Sequence, residues 1–193
     1  MLKVIALDIG GVCVNLHIEK ALEAFGYASV AEIPAEFVSS IEMLEKGEIS
    51  VDEWQNISLK ITENKFSVQE LRKIWAMIIG ETVEGMLELA EELVDAGYKL
   101  VFFSNTSEIH MQEVYRKLSF SNLVTGCIFS YEVGAKKPDD LMYKAFEKEY
   151  GKPLFYVDDI AVNVEAGRRN AWNSHLFTSS ANMRKALVNA KIL

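Results

Sequence analysis

The sequence has only two cysteines, Cys13 and Cys127, and no metal-ligand spacing between them. That argues against a cysteine metal site or a disulfide framework and fits reduced thiols in a cytoplasmic setting. Positive charge is also short: 28 acidic residues against 20 basic ones leave a formal net charge of −8. A phosphate backbone needs a basic footprint, so no nucleic-acid partner is expected. A phosphorylated small molecule stays compatible, because one local cation can override the global field. No apolar run reaches transmembrane length, and only four apolar residues separate Lys3 from Asp8, too few for a signal peptide. No membrane partner is expected either. Internal repeats and low-complexity tracts are missing. No apolar seam stands out for self-association, so a monomer is expected.

What is present is an ordinary globular composition. The chain has 193 residues, 50% of them hydrophobic and 25% charged, enough for one α/β domain or a core with a smaller inserted module. Residues 2–8 read as a buried strand that ends on Asp8 and runs into the turn Gly10-Gly11. Residues 15–81 change character, with helical spacing in Ile18, Ala21, Leu22 and Phe25 and again in Phe37, Ile41 and Leu44. Ser50-Val51-Asp52-Glu53 and Ser67-Val68-Gln69-Glu70 are capping-box patterns, each opening an apolar-periodic segment. Four helices are expected in this block.

Beyond it the chain alternates. The spacing predicts a helix over 82–96 closed by Gly97, a strand over 98–103, a helix to about Leu118 and a strand over 124–129. Lys137-Pro138 is expected to open the next helix with proline in its first turn. A strand over 154–157, a helix over 161–169 with Asn170 as left-handed cap, a strand over 174–177 and a short final helix complete the series. The expected fold is α/β: a Rossmann-like parallel sheet of about five strands with helices on both faces. Residues 1–14 and 82–193 would form the core. The block 15–81, inserted after the first strand, would emerge at the carboxyl edge of the sheet and cover it.

That edge collects the chemistry. Open α/β sheets place their ligands there, and Asp8, Ser104-Asn105 and Asp158-Asp159 all follow strands, with Lys136-Lys137 close behind the third. Each set alone has an ordinary meaning as a cap, turn or surface residue. Four sets at one edge suit phosphoryl transfer. A carboxylate can attack phosphorus, carboxylate and carbonyl oxygens suit Mg2+, a lysine offsets charge, and a hydroxyl with backbone N–H groups can cradle an anion.

The order Asp8-Ile9-Gly10-Gly11-Val12, Ser104-Asn105, Lys137-Pro138-Asp139 and Asp158-Asp159 with Asn163 resembles the haloacid dehalogenase-like (HAD) superfamily over the whole chain. The helical block is similar to that family's class I cap. The first motif, Ser104-Asn105-Thr106 with His110, and Gly134-Ala135-Lys136-Lys137-Pro138 resemble the subgroup of alpha-glucose-1-phosphate phosphatase and the N-terminal phosphatase domain of soluble epoxide hydrolases. The resemblance implies Asp8 as nucleophile and Lys137 as the charge-stabilising lysine, with Lys136 second to it. It implies Asp8, the Gly10 carbonyl, Asp159 and Asp158 as the Mg2+ site. Ser104, Asn105, Gly11 and His110 would bind the phosphate. The expected activity is a phosphatase acting on a small phosphorylated metabolite, such as an anomeric sugar phosphate.

One position departs from that pattern. Phosphatases of this superfamily carry a second Asp two residues after the nucleophile, as proton donor and then base; here it is Gly10. Losing such a group typically costs ~10²–10⁴-fold. A substrate whose leaving oxygen needs little protonation is one account. His110, His17 or Glu48 as the proton source is a second. A catalytically weak or silent binding protein on the same fold is the third. Trp54 and Trp75 read as core of the helical block rather than sugar-stacking platforms.

Overall fold

The computed structural model describes residues 3–193. Val4–Leu7 form β1, and all four side chains are buried. Val14–Leu16 (β2) follow after a tight turn, then α1 (Ile18–Phe25), α2 (Ala35–Glu45), α3 (Val51–Ile61) and α4 (Val68–Ala76). Ile79–Thr82 (β3) lead into α5 (Met86–Asp95), β4 (Lys99–Ser104), α6 (Glu108–Lys117), β5 (Val124–Phe129) and the single turn α7 (Ser130–Val133). The chain closes with α8 (Asp140–Tyr150), β6 (Phe155–Asp158), α9 (Ala161–Arg169), β7 (Ser174–Leu176) and α10 (Ser180–Asn189).

The sheet runs β5-β4-β1-β6-β7, and every pairing in it is parallel. Strand alternation divides its side chains between two cores. Ile5, Leu7, Leu100, Phe102, Phe155 and Val157 meet the apolar faces of α5, α6 and α10. Val4, Ala6, Val101, Phe103 and Tyr156 point the other way, onto α8 and α9. Helices thus cover both faces, as a parallel sheet requires.

The helical block has a core of its own, built from Phe37, Leu44, Trp54, Leu71 and Trp75 and joined to the α/β part through Ile109 of α6. Both capping boxes are formed: Ser50 with Glu53 and Ser67 with Glu70 each exchange a pair of hydrogen bonds at the start of α3 and α4. Trp54 and Trp75 are buried, and their ring centroids lie 4.8 Å apart.

Several local readings change. β2 and β3 pair antiparallel, with Val14 opposite Thr82 and Leu16 opposite Ile79. Both are short enough to carry no periodic signal, and the divisions expected at 14/15 and 81/82 fall inside this ladder. Thr82 therefore belongs to a strand, and α5 starts at Met86 behind the left-handed Gly85. Val83 packs on the core without being helical, which is why the spacing reached back to it. Pro138 is not in a helix turn. It follows a cis peptide bond, and α8 opens two residues later at Asp140, capped by Asp139, whose carboxylate accepts from Leu141 N–H. Asn170 has φ −82°; the left-handed residue is Ala171, and Asn170 spends its side chain on the Ala166 carbonyl and Asp140 instead.

Candidate active site

β4, β1 and β6 are neighbours, so their carboxyl ends bring Ser104, Asp8 and Asp158 side by side. Lys137 enters from the loop before α8. Its ammonium donates to Asp8 Oδ1 at 2.9 Å, Asp158 Oδ2 at 2.6 Å and the Phe103 carbonyl at 2.7 Å. Three acceptors match its three protons. Its side chain is 1% exposed and lies 5.1 Å from the centre of the Phe103 ring and 5.8 Å from that of Tyr156. Phe103 is itself held edge-on by Tyr143, Phe146 and Tyr156. The lysine therefore sits on a rigid aromatic floor, with its charge balanced by two carboxylates.

Asn105 fixes that loop. Its side-chain oxygen accepts from Lys137 N–H at 2.7 Å, and its amide donates to the Lys137 carbonyl at 2.9 Å. The resemblance makes Asn105 a phosphate ligand; in the structure it clamps the lysine backbone. Ser104 keeps a hydroxyl beside Asp8, with only a 3.5 Å contact to the Asn105 carbonyl.

Asp158 is saturated. It accepts from Tyr156 O–H at 2.6 Å, Ile160 N–H at 2.8 Å and the Asn163 amide at 3.1 and 3.3 Å, besides Lys137. Asp159 is exposed and has none of these donors. Even so, one carboxylate oxygen from each of Asp8, Asp158 and Asp159 lies within 4.8 Å of the others. Gly11 borders Asp159 closely: a Cβ there would stand 2.2 Å from Asp159 Oδ2, and its φ of +75° already favours glycine. The Gly11 N–H donates to the Val14 carbonyl at 2.9 Å, so that group is not free for the phosphate contact expected of it. Around Gly10 the space is taken by β2: a Cβ would meet Leu16 Cδ1 at 3.0 Å.

The charges follow from burial. Desolvation pushes the Asp8 carboxyl up to about 6, with Lys137 opposing and Asp158 adding to the rise. Burial and Asp158 raise Asp159 as well. Burial alone would lower Lys137, but the two carboxylates hold it above its ordinary value. Three oxygen ligands of high charge density around one point are the donor set that a hard divalent cation takes. Cys13 is buried, donates its S–H to the Asp8 carbonyl at 3.1 Å, and is pushed up by burial, so it stays a thiol.

A small cavity of about 130 Å³ opens over Asp8, Ser104, Lys137, Asp159 and Asn163. Through Gly10, Leu16, Ser104 and Asn105 it borders a second cavity of about 270 Å³ between the helical block and α6. His110 lines this second cavity and not the first, so the structure does not bring it to the carboxylates as a phosphate ligand. Its ring stacks on Trp75 at 4.8 Å, and Nε2 has no partner among the described residues. Burial lowers its pKa to about 4, against an opposing interaction with the Trp75 backbone. His17 and Glu48, the other candidate proton sources, line neither cavity. Lys136 turns away from the carboxylates and pairs with Glu45 at the end of α2, which ties the helical block to the α/β part.

A neutral buried imidazole makes stability depend on pH. The unfolded chain takes up the His110 proton below its ordinary pKa of about 6.5, while the folded one resists until about 4. This contribution therefore falls as pH drops through that window, by roughly 3 kcal/mol at its limit. His110→Phe is expected to lose less stability than the parent between pH 7 and 5 in denaturant titrations; equal losses would show that the imidazole is not held neutral.

Two parts of the site had no sequence signal. Leu16 at the Gly10 position follows from the β2–β3 pairing, and Tyr156 under Asp158 is one more aromatic in a buried strand. The haloacid dehalogenase-like hydrolase family model matches residues 2–170. An uncharacterised protein of Dictyostelium discoideum is 27% identical over 207 residues, covering 90% of each chain. The D-ribitol-5-phosphate phosphatase of Bacteroides thetaiotaomicron is 25% identical over 203 residues, covering 97% of each. A HAD family enzyme of Bacteroides thetaiotaomicron, crystallised with magnesium and inorganic phosphate, superposes with a TM-score of 0.79 at 22% identity, over 93% of this chain and 96% of that one.

Proposed function

The chain belongs to the haloacid dehalogenase-like hydrolase family, and from that premise we propose that it is a Mg2+-dependent phosphatase acting on a small phosphorylated metabolite. The observation that carries this reading is Lys137, fully buried and shared between Asp8 and Asp158 beside the open carboxylate of Asp159. A lysine in that position keeps one oxygen of Asp8 engaged and places positive charge where phosphoryl oxygens would gather. The magnesium in the neighbouring HAD enzyme and the phosphatase activity named for the Bacteroides relative support the same assignment.

In this mechanism Asp8 attacks phosphorus through a carboxylate oxygen as the bond to the leaving oxygen breaks. The leaving oxygen takes its proton from water, since residue 10 has no acid to offer. Water then attacks the aspartyl phosphate, releasing inorganic phosphate and restoring Asp8. In this reading Ser104 holds a phosphoryl oxygen, Asn105 positions Lys137, and residues 15–81 act as a cap over the site. Asp8, Asp159 and the Gly10 carbonyl would hold Mg2+, with the saturated Asp158 beside them; the ion would supply charge neutralisation of the phosphoryl group when bound.

The silent-binder reading draws on Gly10, but a binding module has no use for a buried lysine that donates to two carboxylates and orients both. An anomeric sugar phosphate agrees with Gly10 through its hemiacetal leaving oxygen. The test is phosphate release from a panel of monoesters and acetyl phosphate, with Mg2+ and with excess EDTA. We expect turnover that falls at least a hundredfold when the metal is removed and returns with added Mg2+. No release from any member of the panel would overturn the phosphatase assignment.

A further inference from the structure

The cavity of about 270 Å³ beside the carboxylates is not built for a sugar. Its wall is made of side chains such as Ile18, Leu22, Phe25, Phe37, Ile41 and Trp75, and its polar groups are few. Each sugar hydroxyl placed against such a wall gives up water and gains no partner, which costs affinity. An apolar body gains on entering instead. The volume sets the size: a cavity of about 150 Å³ takes one benzene ring, so this one suits one to two rings. The cavity borders the small pocket at Gly10, Leu16, Ser104 and Asn105. A monoester with phosphorus near Asp8 would pass its leaving oxygen across that junction and its body into the larger space.

The junction itself narrows the chemistry. A Cβ at residue 10 would stand 3.0 and 3.3 Å from the two Leu16 methyl groups. The leaving oxygen therefore departs beside those methyl groups, with no acidic side chain at residue 10 to protonate it. An alkoxide is a poor leaving group under those conditions, while a phenolate departs with its charge spread over the ring. His110 lines the cavity, but its unpartnered Nε2 is itself buried, so it adds no polar anchor to the apolar wall.

We propose that the substrate is an aryl phosphate, a monoester of a phenolic hydroxyl whose one- or two-ring apolar body occupies the cavity between α1, α2, α4 and α6. This rests on the phosphatase reading above. Hydrolysis breaks the P–O bond to the ring oxygen, the phenolate takes a proton from water, and the phosphoryl group passes from Asp8 to water.

The experiment compares kcat/KM, with Mg2+, for phenyl, 1-naphthyl and benzyl phosphate, glucose 1-phosphate and acetyl phosphate. We expect 1-naphthyl to equal or exceed phenyl phosphate. Benzyl phosphate, with a ring but an alkoxide leaving group, and glucose 1-phosphate should each fall at least tenfold below phenyl phosphate. Ile18→Glu, at the partly exposed rim, should lower the ratio of 1-naphthyl to acetyl phosphate at least tenfold, mainly through KM. Glucose 1-phosphate matching phenyl phosphate, or an Ile18→Glu ratio equal to the parent's, overturns the proposal while leaving a phosphatase in place. Failure to hydrolyse acetyl phosphate together with every ester overturns the phosphatase reading and this one with it.

Discussion

Asp8→Asn is expected to lower kcat by at least about 10³-fold, because an amide cannot attack phosphorus. Lys137, Ser104 and Cys13 all approach Asp8, and none of them offers a second free carboxylate in the same position. Folding should be untouched. Burial already raises the Asp8 carboxyl to about 6, so the folded protein gains little from its charge, and Lys137 keeps Asp158 and the Phe103 carbonyl as acceptors. The two readouts are single-turnover phosphate release and the melting temperature. A variant that keeps a tenth of the parent kcat would remove Asp8 from the chemistry. A variant that fails to fold would show that Asp8 is first a structural partner of Lys137.

Lys137→Met should be the most damaging single change to stability. It leaves Asp8 and Asp158 facing each other without a cation, in a place where the lysine side chain is 1% exposed and Asp158 fully buried. Breaking a buried pair by removing one partner costs about 3–5 kcal/mol, a fall of roughly 10 °C in melting temperature for a chain of this size. Activity should fall by at least about 10²-fold through lost charge stabilisation. Lys136→Met is the control. Its pair with Glu45 is only partly buried, so its loss should cost about 1 kcal/mol or less. Differential scanning calorimetry of both variants decides the point. If the two melt alike, the buried lysine contributes no more than its partly buried neighbour.

These two lysines show how far the sequence reaches. Adjacency to Pro138 singled out Lys137, and the strand endings placed Asp8, Ser104 and Asp158 at one edge, because strand period and βαβ alternation are local patterns that force a parallel sheet. The two Ser-x-x-Glu boxes were legible for the same reason: a capping box is closed within four residues. What was not legible depends on pairs distant in the chain. β2 and β3 are three and four residues long and find each other across 62 intervening positions, 17–78. That pairing is what puts Leu16 beside Gly10. Asn105 reads as a phosphate ligand because its motif sits at a strand end, yet its amide turns to a backbone 32 residues away. His110 opens toward Trp75 because α6 packs on α4, and nothing within four residues of it says so. The left-handed turn after α9 moved from Asn170 to Ala171 because Asn170 finds better acceptors for its side chain.

The ladder that hid from the sequence also makes the architecture modular. β2 and β3 leave the α/β body as adjacent antiparallel partners, with Leu16 opposite Ile79. Antiparallel partners lie only ~5 Å apart, and a two-residue hairpin can close such a pair. Everything from 17 to 78 is therefore an interchangeable loop as far as the main sheet is concerned. Its length, fold and lining can diverge over generations, or be exchanged by grafting between relatives, while Asp8, Lys137 and Asp158 keep their places. New substrate preferences can arise in that segment without re-evolving the reaction beneath it.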